Sequence, residues 1–292
     1  MEVTSSIAEV SEACRVAKLS GLSVGFVPTM GYLHEGHVSL LRAARAENEL
    51  VVLSIFVNPT QFGPQEDLER YPRDLDRDCK LAEAAGTNLT FTPTAEAMYP
   101  RGYTTTVSVK GLTELWEGAS RPGHFDGVAT VVLKLLNVTQ PDRAYFGAKD
   151  YQQLQVVQRM VEDLNLAVDI VGLPTVREPD GLALSSRNVY LSREERERAL
   201  VLPSALAHCR RLLEGGERRG WVVRQAGEER IQAQAGVELD YLAVAHPRSL
   251  QPMDLVDREA VLLAAVRAGK TRLIDNLLWE ETPSQSDDEL AG

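Results

Sequence analysis

Residues 27–37 read VPTMGYLHEGH. They follow directly on an apolar run, LSVGFVPT over residues 22–29, and carry a Gly31 turn and then His34 and His37 around Gly36. The order is strand, turn, helix, the opening unit of an α/β fold. Three chemistries compete for the histidines. A zincin helix needs HExxH, which puts both ligands on one helical face; here the spacing is shorter, and no third Cys or His lies at ligand distance along the chain. Ordinary surface histidines on a loop are the second reading. The third is anion binding. Backbone N–H groups at a helix N-terminus attract negative charge, and imidazoles beside them donate to phosphate oxygens as charge grows in a transition state.

Working outward, the same alternation recurs. ELVVLSIFVN (49–58), NLTFTPT (88–94) and DRAYFG (142–147) read as buried strands, separated by helical patterns at 37–49 and at 74–86, the latter closed by Gly86. This predicts a Rossmann-like, mainly parallel sheet with helices on both faces over residues 1–175. After DIVGLPTVREPDG (169–181) the character changes. LSREERERALVLPSALAHCRRLLEGG (191–216) opens with a Ser192–Glu195 capping box and is interrupted at Pro203. The apolar runs ELDYLAVA and EAVLLAAVRAG follow. A smaller α+β domain over 176–282 is therefore expected, joined through Pro174–Gly181, with an acidic, disordered tail at 283–292.

Composition narrows the function. A net charge of −11 without a basic cluster argues against nucleic acid and anionic membranes as partners. Cys14, Cys79 and Cys209 form no CxxC pair, which fits a reducing cytoplasm. No secretory leader pattern or membrane-length apolar run is present.

Four further stretches carry polar chemistry. In FVNPTQFGPQEDLERYPRD (56–74), Asn58 and Gln61 sit just past a strand, where parallel sheets bind ligands, although Asn-Pro is also a plain turn signal. Asp76 and Asp78 are either magnesium supports or a solvated helix face. SRPGHFDGV (120–128) places Arg121 and His124 in a tight loop suited to an anion. FGAKDYQQLQVV (146–157) offers Lys149 and Asp150 for phosphate and ribose, with Asp150 and Gln153 reading equally as an N-cap and its N3 partner. DGLALSSRN (180–188) supplies Ser185, Ser186 and Arg187, a phosphate clamp or an exposed polar loop.

These five blocks, in this order from Phe26 to Asn188, resemble the pantothenate synthetase (pantoate–β-alanine ligase) family; HxGH alone marks only the wider nucleotidylyltransferase superfamily. The resemblance implies an enzyme that condenses pantoate with β-alanine using ATP and Mg2+, releasing AMP and pyrophosphate. It implies a cytoplasmic homodimer with a small C-terminal lid. It places Met30, His34, His37, Gly147, Lys149, Asp150, Val176, Ser185, Ser186 and Arg187 at ATP or the adenylate. Gln61 and Gln153 fall at pantoate with Asn58 nearby, Tyr71, Arg121 and His124 at the pocket for β-alanine or the intermediate, and Asp78 at magnesium. Tyr32 departs from the small residue the family usually has there, and Leu184 from a common Met. The rival readings are a nucleotidylyltransferase that stops at nucleotide transfer, a non-catalytic nucleotide sensor, and a metallohydrolase.

Overall fold

The computed structural model describes residues 1–64 and 66–281 in two compact units, which divide at Tyr190/Leu191. The expected tail at 283–292 lies outside the described residues. The first unit runs β1 (Glu2–Thr4), α1 (Ile7–Leu19), β2 (Val24–Thr29), α2 (Glu35–Glu47), β3 (Leu50–Ile55), α3 (Leu75–Ala84), β4 (Leu89–Phe91), α4 (Ala95–Met98), α5 (Glu117–Ser120), α6 (His124–Thr139), β5 (Arg143–Gly147), α7 (Tyr151–Asp163) and β6 (Asp169–Leu173). All six strands are parallel, in the order β1-β4-β3-β2-β5-β6. Chain order therefore reverses between β2 and β5, and the crevice at the carboxyl ends of those strands is the ligand position such sheets offer.

The strands read as continuous apolar runs because both faces of the sheet are covered. Val27, Val51, Leu53 and Tyr145 are fully buried in one cluster with Leu33, Val38, Leu41 and Ala44 at α2 and Ala82 of α3. Their strand neighbours Phe26 and Val52, equally buried, alternate to the other face. α1 and α6 contact each other and β2. α2 lies close to its sheet: a Cβ on Gly25 of β2 would meet the Asn48 amide at 2.7 Å.

The second unit holds α8 (Arg193–Ala199), α9 (Val201–Glu214), α10 (Gly220–Gln232), β7 (Val237–Ala245), β8 (Glu259–Ala268) and β9 (Thr271–Glu280), the strands forming an antiparallel sheet in that order. The capping box forms as the sequence predicts: Ser192 Oγ accepts from Glu195 N at 3.2 Å, and Ser192 N donates to Glu195 Oε2 at 2.9 Å. The helix breaks at Leu200, so that Pro203 falls in the first turn of α9, where its missing N–H is harmless.

The two units thus divide fifteen residues beyond the 175/176 expected from the sequence. Residues 176–184 fold back as a short hairpin, with Leu184 N donating to Val176 O at 3.0 Å and Glu178 N to Leu182 O at 2.8 Å, and Ser186–Tyr190 follow as a 3-10 turn. Ser186 Oγ donates to Tyr32 O at 3.3 Å and Tyr190 Oη to Arg70 O at 2.8 Å, which ties the segment to the first unit. Sequence reading also left β1 and β6 unnamed as strands.

Candidate active site

One pocket opens at the carboxyl ends of β2 and β5. Pro28, Thr29 and Met30 bring β2 to it, and Phe146, Gly147, Lys149 and Asp150 bring β5. Of the residues singled out from sequence, Met30, His34, His37, Gln61, Tyr71, Arg121, His124, Gly147, Lys149, Asp150, Gln153, Val176, Ser185, Ser186 and Arg187 line it; Asn58 and Asp78 do not. Phe56, Val128, Val131, Val132 and Leu135 add an apolar wall that motif reading missed. Four of these lie on α6, whose apolar spacing signals a buried helix but not a pocket.

The turn into α2 is built by side chains. Thr29 Oγ1 donates to Ser54 O at 2.8 Å and accepts from Gly31 N at 3.2 Å. Gly31 (φ 84°) and Tyr32 (φ 49°) are both left-handed, a conformation that strains a tyrosine. Asp78 stabilises it. Its carboxylate, 1% exposed, accepts from Tyr32 N and Leu33 N at 2.7 Å each, and Arg77 lies 5.1 Å over the Tyr32 ring. Burial raises the Asp78 pKa against the lowering pull of those two N–H groups. Asp78 is therefore not a solvated helix face; both of its oxygens are engaged by the turn, and it is not among the residues lining the pocket.

His34 is the N-cap of α2, and the two imidazoles stack with centroids 4.0 Å apart. Burial, and then the charge of Lys149, push the His34 pKa down to about 4. Burial, His34 and Lys149 hold His37 well below its ordinary range. Both rings are neutral at pH 7. His34 N donates to His37 Nδ1 at 3.3 Å, so the His37 proton sits on Nε2 and is available to a ligand. His34 Nδ1 is buried with no hydrogen bond. Asp150 occupies the N-cap position of α7 without a side-chain capping bond and pairs instead with Lys149, 3.6 Å away.

Arg121 and His124 line the pocket and are also tied to the Gln61 backbone. His124 Nδ1 donates to Gln61 O at 2.8 Å, which leaves Nε2 to accept from Arg121 Nη1 at 3.1 Å. Burial, and then Arg121, push the His124 pKa down to about 4, in accord with that neutral tautomer. Arg121 Nη2 also reaches Gln61 O at 3.3 Å. The pair grips the Gln61 backbone while its own charge is balanced by Glu66 and Glu117.

Asn58, 1% exposed, is likewise a brace. Its Oδ1 accepts from Thr60 N at 3.3 Å and Tyr99 Oη at 2.8 Å, and its Nδ2 donates to Gly127 O at 3.1 Å and Gln61 Oε1 at 3.2 Å. The backbone groups of Thr60 and Gly127 fix the orientation of the Asn58 amide. That in turn fixes Gln61 with its Oε1 inward, and its NH2 donates to Met30 Sδ at 2.9 Å with one N–H to spare. Glycine at 127 is required, since a Cβ would stand 2.4 Å from Thr60 O.

Comparison with known proteins agrees with this geometry. The family model described as Pantoate-beta-alanine ligase matches residues 2–278. Pantothenate synthetase of Moorella thermoacetica is 56% identical over 280 residues, 96% of this chain and 99% of the relative. The crystal structure of pantothenate synthetase from Thermus thermophilus superposes with a TM-score of 0.89 at 54% identity, covering 95% of this chain and 99% of that one. The Francisella tularensis pantoate-beta-alanine ligase complexed with beta-gamma ATP and β-alanine gives 0.81 at 35% identity, covering 97% and 100%. Parallel sheet, crevice at the strand reversal, paired neutral histidines and full-length similarity converge: the chain belongs to the pantoate–β-alanine ligase family.

Proposed function

We propose that this protein condenses pantoate with β-alanine in an ATP-dependent reaction, through a pantoyl-adenylate intermediate, releasing AMP and pyrophosphate. The observation that carries the reading is a single pocket in which His34, His37, Lys149, Ser186 and Arg187 meet the amides of Gln61 and Gln153. The first set suits a triphosphate; the second suits the hydroxyl and carboxylate oxygens of a small polar acid. Beta-gamma ATP and β-alanine are the ligands of the Francisella relative.

Pantoate's carboxylate is already ionised at neutral pH, so its attack on the α-phosphate needs no general base. The task is to hold two anions together and to stabilise charge as pyrophosphate departs. His37 Nε2–H and the His34 ring donate as neutral imidazoles, Lys149 and Arg187 supply positive charge, and the N-terminus of α2 adds its backbone N–H groups. The Gln61 NH2 donates to an oxygen of the acid. In the second step the free amine of β-alanine attacks the acyl carbonyl and AMP leaves. No covalent enzyme intermediate is formed.

Magnesium fits the donor set in its usual mode. Among the described residues no group of three His, Cys, Asp or Glu could hold a metal, and Asp150 is the one carboxylate among the residues lining the pocket. Mg2+ is commonly held by one or two carboxylates, water and substrate phosphates, so it would enter on the nucleotide beside Asp150. When bound it would offset charge on the triphosphate oxygens.

A homodimer and a cytoplasmic location are what the family resemblance implies. The free thiols of Cys14, Cys79 and Cys209 suit a reducing compartment. No helix among the described residues is long and apolar enough to cross a membrane.

The deciding experiment is pyrophosphate exchange into ATP with Mg2+ and pantoate, without β-alanine. Pantoate-dependent exchange is expected. No exchange, together with no AMP formed after β-alanine is added, would overturn the reading.

A further inference from the structure

Two arginines line the pocket, and each is held from behind by one of two consecutive carboxylates that do not line it. Arg187 donates from Nε and Nη2 to the two oxygens of Asp67, 2.9 Å each, and its guanidinium lies 5.5 Å over the Tyr71 ring. Arg121 donates from Nε and Nη2 to the two oxygens of Glu66, at 2.8 and 2.6 Å. Both pairs are largely buried, with side-chain exposures of 27% and 14% for Arg187 and Asp67 and 15% and 25% for Arg121 and Glu66. Burial alone would raise both carboxyl pKa values, but the ion pairs outweigh it and hold both below the ordinary range.

A fork of this kind uses two of the five guanidinium N–H groups and fixes the plane of the rest. The two arginines then serve different parts of the pocket. Arg187 follows Ser186, whose hydroxyl is bonded to Tyr32 O in the turn before His34, so it belongs with the phosphate-binding groups. Arg121 grips the Gln61 backbone together with His124, so it belongs with the acid-binding amide.

We propose that Glu66 and Asp67 are positioning residues that set the two half-sites separately, Asp67 through Arg187 for the nucleotide and Glu66 through Arg121 and Gln61 for the hydroxy acid. The assignment rests on the reading of this pocket as an adenylating site. The alternative is that both carboxylates merely keep their loop folded. Being adjacent on one loop, they would then fail together.

The test compares Asp67→Asn, Asp67→Glu and Glu66→Gln with the wild type. ATP affinity is measured directly by calorimetry without acid, and the pantoate KM by pyrophosphate exchange at saturating ATP. A guanidinium without its fork regains rotamer freedom that must be lost again on binding, so Asp67→Asn should raise the Kd for ATP about tenfold and leave the pantoate KM within about twofold. Glu66→Gln should do the reverse, and Asp67→Glu, which keeps a carboxylate fork, should bind ATP within about threefold of wild type. Both parameters moving together in both variants, or neither moving, overturns the proposal. So does an Asp67→Glu loss as large as that of Asp67→Asn. Tighter ATP binding by Asp67→Asn also overturns it, since the carboxylate would then compete with phosphate for Arg187 instead of bracing it. Absence of pantoate-dependent exchange in the wild type would instead remove the adenylation reading itself.

Discussion

A Cβ built on Gly36 would stand 3.0 Å from Cε1 and Nδ1 of His34. The glycine of HEGH is therefore there for close approach of the ring, not for an unusual φ. Gly36→Ala should fold normally but displace His34, lowering pyrophosphate exchange by on the order of tenfold; wild-type exchange in that variant would show the ring does not need its place. His34→Ala should cost about 3 kcal/mol of barrier, on the order of a hundredfold in exchange rate, by removing one donor to the developing charge. Protonation enters through stability. The His124 pKa falls from 6.5 to about 4 in the folded protein, so within that window the unfolded chain binds the extra proton. Its contribution is intact above pH 6.5 and is lost as pH falls toward 4, amounting to about 3 kcal/mol when complete. Denaturant unfolding followed from pH 7 to 4 should show a shallower loss in His124→Gln than in wild type. Equal slopes would mean the buried imidazole titrates normally.

At the scale of elements, the strand–turn–helix at residues 24–47 was legible because its signals are local: an apolar run, Gly31, and a helix pattern after His37. The brace beneath it was not. Asp78 lies 46 residues from Tyr32 in sequence, and an acidic residue in the first turn of a helix looks the same whether it faces water or a buried turn. The same limit hid Asp67, 120 residues from Arg187, and the hold that Arg121 and His124 keep on Gln61, 60 and 63 residues away. Motif composition reports which residues gather; it does not report which of them touch the substrate. The turn gives a test of that distinction. Asp78→Asn leaves one buried backbone N–H facing an amide NH2, which should destabilise the fold by about 1–3 kcal/mol. Activity should fall with the displaced histidines while the Mg2+ concentration giving half-maximal rate stays the same. A marked rise in that concentration would return Asp78 to the metal.

At the scale of the molecule, every residue lining the pocket, from Pro28 to Arg187, lies in the unit that ends at Tyr190. That unit contains the complete parallel sheet and its own buried cluster. The second has a separate core, in which a Cβ on Gly227 would stand 2.6 Å from both Cys209 Sγ and Leu242 Cδ1. Residues 1–190 should therefore fold alone and bind ATP within about tenfold of the full chain, because no pocket residue is removed. Turnover is a different matter. A mixed anhydride such as pantoyl adenylate survives only where water is excluded, and a small C-terminal lid is what the family resemblance implies. If the second unit does this, the fragment will release more AMP than pantothenate, the surplus measuring adenylate lost to water, whereas the full chain will keep the two equal. Equal yields from the fragment would show that the first unit shields the intermediate by itself, and would leave the second unit with another task.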